Sequence, residues 1–328
     1  MKEEQEIKVI AIKLPFDLQE RLLSFPFLHA LREQYPESEI HFITPRKYIE
    51  VLNLLPFQAY YHEFDENEIE NIFDTHRFSV NSKIYNVDLF INLTNSLADA
   101  SLGIGLKAKK RLGFSDGWKT IVLNEKTTRP VNHHLSEDFF SLLEAHTGKP
   151  FNQRLKVISR DLTPIIKEWE GETFIAVNLF PLMGVEINPK WIEFFNLFEN
   201  QNFLLFASED EVKVQLLMKN FIDKLPRKNK YFNFAHKSWI EIGKMLSQSN
   251  GLVTYNGPVA TLSAYVGTRT LILYDREDPK RTGPFYFFAD VVIVNGDAPP
   301  EGVLKAATQF NMVEVFNKAV DFFRLSGS

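Results

Sequence analysis

The tripeptide Asn256-Gly257-Pro258 separates an apolar run, Gly251–Tyr255, from a pattern of small residues that reads as a helix. A buried strand ending in a polar, glycine-bearing corner at a helix start can bind an anion. Its unpaired backbone N–H groups and the positive end of the helix dipole both favour negative charge there. The amides from Gly257 to Ala260 could cradle a phosphate, except at Pro258, which has no N–H. The same letters also read as punctuation, with Asn256 as helix cap and Pro258 in the first turn. Both readings can hold at once.

Other chemistries are less well served. There is no cysteine among the 328 residues, which removes disulfides, thiolate catalysis and zinc–sulfur sites. Of the 8 histidines only His133 and His134 are adjacent, and no pair has the i, i+4 spacing of a helical metal site. No metal or other cofactor is expected. The net charge of −5 argues against a protein that coats nucleic acid. The start, MKEEQEIKVI, is too charged for a signal peptide, and no apolar run is long enough to span a membrane. The expectation is a cytoplasmic protein.

The elements that must position the corner follow from periodicity. In the first half, Ile7–Lys13, Glu39–Thr44 and Asp88–Leu93 read as strands. Helices are expected at Gln19–Gln34, Lys47–Leu55, Ser96–Leu106 and Leu135–Gly148, the last ending on a glycine cap. Residues 149–173 read as the end of one domain and a linker. The pattern then restarts, with strands at Phe174–Phe180, Asn202–Ser208, Lys230–Ala235, Gly251–Tyr255, Thr270–Asp275 and Val291–Gly296. Helices are expected between them at Trp191–Glu199, Glu211–Lys224, Ser238–Ser247 and Pro258–Val266, and a last helix at Val303–Leu325 closes the chain. Alternation of strand and helix means crossover connections and parallel sheets. The fold class is therefore α/β: two Rossmann-like, doubly wound domains, 1–160 and 161–328, facing across a cleft. Such sheets bind ligands beyond the carboxyl ends of their strands, where the Asn256 corner lies.

Three segments carry a resemblance to glycosyltransferase family 9, the heptosyltransferases of lipopolysaccharide synthesis. They are IKVIAIKLPFDLQERLLSFPFLHALREQYPESEIHFIT, VDLFINLTNSLADASLGIGLKAKKRLGF and YNGPVATLSAYVGTRTLILYDREDPKRTGPF. The resemblance implies the GT-B arrangement, with the acceptor in the first domain and a nucleotide-diphosphate sugar such as ADP-heptose in the second. It implies an inverting, metal-independent transfer to an envelope glycan or glycolipid at the inner face of the inner membrane. A carboxylate would take the proton from the acceptor hydroxyl, and donors would stabilise the departing diphosphate.

Carried over residue by residue, the family's base falls on Glu20, six positions before Pro26, with Asp17 as a second candidate. The alternative is structural: Asp17 as cap and Glu20 at the third helical position. The family's Asp-Ser-Gly corner and its histidine fall on Asn256 and Thr261. Gly257, Pro258, Val259 and Ala260 complete the donor corner. The family's lysine falls on Glu186 or Pro189, so Lys190 from the next turn is the candidate cation. Lys280 and Arg281 are candidate phosphate neighbours, or a solvated turn. Glu211 falls near the family's acidic residue close to the ribose, or is first-turn helix charge. Lys107–Arg111 (KAKKR) is a basic loop that an anionic acceptor or membrane surface could meet, and His134 reads as a surface histidine. The leading expectation is a glycosyltransferase. The alternative is a relative that keeps the fold as a non-catalytic binding or assembly module, because three polar positions of the site are altered.

Overall fold

The computed structural model describes residues 6–65, 68–131, 133–151, 174–179, 190–196, 198–206, 212–234, 238–274, 279–283 and 289–293. The chain divides into two compact units, Met1–Leu155 and Lys156–Ser328.

The first unit holds strands β1 (Val9–Lys13), β2 (Glu39–Pro45), β3 (Tyr60–Phe64), β4 (Leu89–Asn92), β5 (Lys110–Phe114) and β6 (Glu125–Thr127). Their order is β3-β2-β1-β4-β5-β6, and all neighbouring pairs are parallel. Crossovers leave β1 in one direction and return to β4 in the other. The boundary between these two strands is thus a topological switch point. Central β1 is buried and apolar as far as Lys13, as a strand covered on both faces must be.

The helices of this unit are α1 (Leu18–Leu23), α2 (Phe25–Gln34), α3 (Ile72–Asn81), α4 (Leu97–Gly105) and α5 (Leu135–Thr147). The single helix expected over 19–34 is two, broken at Ser24. Pro26 lacks the N–H that would bond to the Leu22 carbonyl, and its ring crowds that carbonyl. Ser24 Oγ instead donates to the Arg21 carbonyl at 2.7 Å. Residues Ile49–Leu54 form a 3₁₀ helix rather than an α-helix. At Gly103 an added Cβ would lie 2.5 Å from the Phe90 ring, so α4 sits against β4 as only glycine permits. Strands β3, β5 and β6 and helix α3 were not expected from periodicity. β3 is an edge strand with Tyr60 exposed, and β6 reads Glu-Lys-Thr, so neither carries an apolar signature.

The second unit repeats the plan with β7 (Phe174–Asn178), β8 (Asn202–Phe206), β9 (Lys230–Asn233), β10 (Gly251–Tyr255), β11 (Thr270–Tyr274) and β12 (Ala289–Ile293). The order is β12-β11-β10-β7-β8-β9, all parallel, with the switch point between β7 and β10. Its helices are α6 (Lys190–Asn196), α7 (Val212–Ile222), α8 (Trp239–Gln248), α9 (Pro258–Tyr265) and α10 (Pro279–Thr282). The expected aromatic core is present. Phe195 meets Phe203 edge-on at 4.9 Å, and Trp191, Phe194 and Phe221 join the same cluster. Gly148 ends α5 in the left-handed conformation, as its place in the sequence implies. The expected linker beyond residue 151 and the expected closing helix lie outside the described residues.

Burial makes the first unit acid-sensitive. His29, on α2 against Phe57, is pushed down to about 4 by loss of solvent. The folded chain therefore refuses a proton that the unfolded chain accepts between pH 6.5 and 4. Stability is complete above 6.5 and falls as pH drops through that window, by about 3 kcal/mol from this residue. His62, also pushed down to about 4, adds to the slope. Denaturant unfolding at a series of pH values is expected to show it, and His29→Leu to flatten it.

Candidate functional site

In the first unit the site elements converge on the carboxyl ends of β1, β4, β5 and β6. Asp17 caps α1, its Oδ1 accepting from the Glu20 N–H at 2.9 Å. The structural alternative for Asp17 thus holds, and both carboxylates stand on the exposed first turn. Arg21 pins the loop beneath them. Its fully buried guanidinium donates to the carbonyls of Pro15 (3.2 Å), Lys47 (3.0 Å) and Phe16 (3.3 Å). Burial lowers its pKa to about 10, so it keeps its charge at neutral pH.

Beside this loop runs a chain of ion pairs that sequence reasoning did not find. Lys13, the last residue of β1, is 1% exposed, and its Nζ lies 3.5 Å from Asp99 Oδ1. Asp99 Oδ2 accepts from the Thr94 hydroxyl at 2.7 Å, and Lys119 Nζ donates to the Thr94 carbonyl at 3.2 Å. Lys119 also meets Asp116 at 3.6 Å. Arg129 bridges Asp116 (3.4 Å) and Asp138 (3.1 Å) and donates to Asn95 at 2.8 Å. Burial lowers the pKa of Lys13, and the Asp99 carboxylate opposes that shift. The three cations Lys13, Lys119 and Arg129 are matched by Asp99, Asp116 and Asp138, so the network is balanced in charge.

In the second unit the switch point carries a buried pair, Asn178 Nδ2 donating to Thr254 Oγ1 at 3.0 Å. One residue past β10 lies the corner. Here Asn256 does not cap α9. The cap is Gly257, with φ 151 and ψ −167, and no side chain closes the helix end. That φ favours glycine, and a Cβ there would meet nothing within 4 Å, so the constraint is backbone conformation rather than crowding. Val259 and Ala260 precede the first i→i−4 bond, Thr261 N to Gly257 O at 3.1 Å, and so have no acceptor within the helix. Asn256, Gly257 and Pro258 are half-buried, whereas Val259, Ala260 and Thr261 are buried. The Thr261 hydroxyl donates to the Gly257 carbonyl at 3.3 Å and is spent on the helix.

Lys190 opens α6, immediately before the buried Trp191. Lys280 and Arg281 lie on α10 beyond β11, the first exposed and the second half-buried. Glu211 falls outside the described residues. Two other expectations are corrected. His134 is not a plain surface residue: it caps α5, its Nδ1 accepting from the Ser136 N–H at 3.1 Å, with Glu137 closing the box. The basic run 107–111 is not a loose loop. Lys109 pairs with Asp88 at 2.7 Å and Lys110 with Glu125 at 3.3 Å, and Arg111 donates to the carbonyls of Val122 and Ala108.

No protein-family model matches the sequence, and no curated sequence matches it. Solved structures do. A glycosyltransferase of family 9 from Veillonella parvula superposes with a TM-score of 0.74 at 17% identity, covering 97% of this chain and 98% of that one. The E. coli ADP-heptose lipopolysaccharide heptosyltransferase II gives 0.73 at 14%, covering 98% and 100%. The E. coli heptosyltransferase WaaC, solved with ADP, gives 0.74 at 12%, covering 98% and 100%. The chain has the fold of the family 9 glycosyltransferases. At these identities the likeness is one of fold, and the side chains must argue the rest.

The Lys13–Asp99 pair supplies a test of the first half-site. Asp99→Asn removes the charge that opposes the burial effect. The pKa of Lys13 is expected to fall further, read from the pH dependence of its side-chain carbon shift. An unchanged titration would place Asp99 outside its field.

Proposed function

We propose that the chain is a glycosyltransferase that moves a sugar from a nucleotide-diphosphate donor, ADP-heptose being the first to try, onto an envelope glycan or glycolipid. The observation that carries this reading is the match of fold over 97% of the chain to a family 9 enzyme, with a glycine corner at the carboxyl end of β10. The donor diphosphate sits at the start of α9, against the half-buried corner Asn256-Gly257-Pro258 and the positive end of the helix. Lys280 and Arg281, and Lys190 from α6, supply positive charge to the departing phosphate. Glu20, which falls where the family resemblance puts the base, takes that role, and Asp17 holds the first turn of α1 through its cap to the Glu20 N–H.

In this mechanism the acceptor hydroxyl gives its proton to Glu20 as its oxygen bonds to the anomeric carbon. The bond from that carbon to the diphosphate oxygen breaks, and the configuration inverts. Amides and cations around α9 gather the charge on the leaving group. No step requires a metal.

A second reading has one observation in its favour. Asn256 carries no charge and the Thr261 hydroxyl is committed to the helix backbone, so the corner suits a protein that keeps the fold for binding or assembly.

Two measurements separate these readings. Thermal shift and calorimetry with ADP, UDP and GDP sugars are expected to show one preferred nucleotide; no stabilisation by any of them favours the binding or assembly module. With that donor, Glu20→Gln is expected to lower turnover by about 10²–10⁴-fold while leaving donor affinity near wild type. Equal rates would remove Glu20 from the mechanism.

A further inference from the structure

Two histidines 21 positions apart meet at the edge of the first sheet. His41 lies on β2 and His62 on β3, and the register sets His41 beside Tyr60 and Ile43 beside His62. Side chains alternate along a strand, so the two histidines are diagonal neighbours on one face. His41 Nδ1 and His62 Nε2 stand 3.0 Å apart. The i, i+4 spacing of a helical metal site is blind to such a pair, because two neighbouring strands bring it together.

Each ring also has an acceptor behind it. His41 Nε2 lies 3.7 Å from Glu39 Oε2. A hydrogen bond with the Ser82 backbone favours the protonated His62 ring, so the Ser82 carbonyl is the acceptor there. A carboxylate behind one imidazole and a carbonyl behind the other are the partners that metal-binding histidines use. Burial disfavours the charged form of both rings, and the neutral form is the one that binds metals. Without an ion, the His41 proton lies between the rings in an N–H···N bond. With an ion, that proton moves to Nε2 beside Glu39, and both facing nitrogens offer lone pairs. Tyr60 stacks on His41 with centroids 4.9 Å apart, which holds the ring plane. His62 lines a cavity of about 380 Å³ with Glu63, Glu68 and Asn81, which leaves room for water on an ion.

The spacing selects the ion. With metal–nitrogen bonds of about 2.0–2.1 Å, a tetrahedral ion sets two nitrogens about 3.3 Å apart, and a right-angled pair sets them about 2.9 Å apart. The 3.0 Å found here is nearer the second. Among the described residues no group of three His, Asp or Glu side chains could close a site. Two imidazoles near a right angle, with the other positions left to water, suit copper(II) or nickel(II) better than structural zinc. We propose that His41 and His62 bind one divalent copper or nickel ion that ties the edge strand β3 to β2. The site is independent of the transferase reading, whose mechanism uses none of these side chains.

The test uses the full chain without an affinity tag, titrated with copper(II) and with nickel(II) at pH 7 and followed by calorimetry. One saturable equivalent is expected, with a rise in thermal midpoint, because an ion held only by the folded chain stabilises it. In the wild type, substoichiometric copper should broaden the ring resonances of His41 and His62 before those of the other histidines. His62→Gln should lower affinity by about tenfold or more, and so should Glu39→Gln, which removes the carboxylate behind His41. Glu39 is exposed, so that variant keeps the fold. His133→Ala, which breaks up the adjacent pair His133-His134, should bind like the wild type. The proposal is overturned if neither ion binds saturably, or if copper broadens other histidines first. It is also overturned if His62→Gln and Glu39→Gln bind like the wild type, or if His133→Ala abolishes binding.

Discussion

A parallel sheet buried on both faces must still end, and the polar groups at the ends of its central strands must find partners away from water. Both units meet this constraint at the switch point. In the first, Lys13 on β1 stands in register beside Asn92 on β4. In the second, Asn178 on β7 bonds directly to Thr254 on β10. Each pair then recruits its surroundings. Lys13 draws Asp99 to the start of α4, and Asn92 accepts from both the backbone and the hydroxyl of Thr94. The buried polar ends thus shape the loops that any ligand would meet.

The two units solve the problem with different chemistry, which bears on their roles. The first joins the Lys13–Asp99 pair through Thr94 to the ion pairs of Lys119, Asp116, Arg129 and Asp138, a network balanced in charge and largely withdrawn from solvent. Such a network rigidifies an edge without offering it net charge. The second uses neutral groups and leaves its polarity in the backbone, at a glycine corner whose helix start lacks a side-chain cap. Under the proposed function, the backbone corner takes the phosphate and the rigid edge faces the acceptor.

The two-unit architecture and the six described strands of the second unit could be read from apolar runs bounded by polar corners. The three strands missed in the first unit show where such reading stops. Tyr60–Phe64 is a half-exposed edge, and Lys110–Phe114 opens with two charges that look like loop. Their pairing comes from neighbours distant in sequence. Lys13 was missed for a related reason. A lysine after Val-Ile-Ala-Ile reads as a strand emerging into water, and only the topology buries it under α4. At the start of α9 the letters mark a helix entry, but they point to Asn256 as the cap where the structure has Gly257. The backbone of Gly257, which decides the matter, leaves no mark in a string of letters beyond the glycine itself.

The central claim is that the start of α9, at the carboxyl end of β10, receives the diphosphate of a nucleotide sugar. Hydrogen–deuterium exchange with and without the preferred nucleotide tests it at the level of single peptides. The account predicts slowed exchange over 256–261, with the strands of the first unit unchanged. Nucleotide binding that leaves 256–261 unaffected and protects another segment would contradict it.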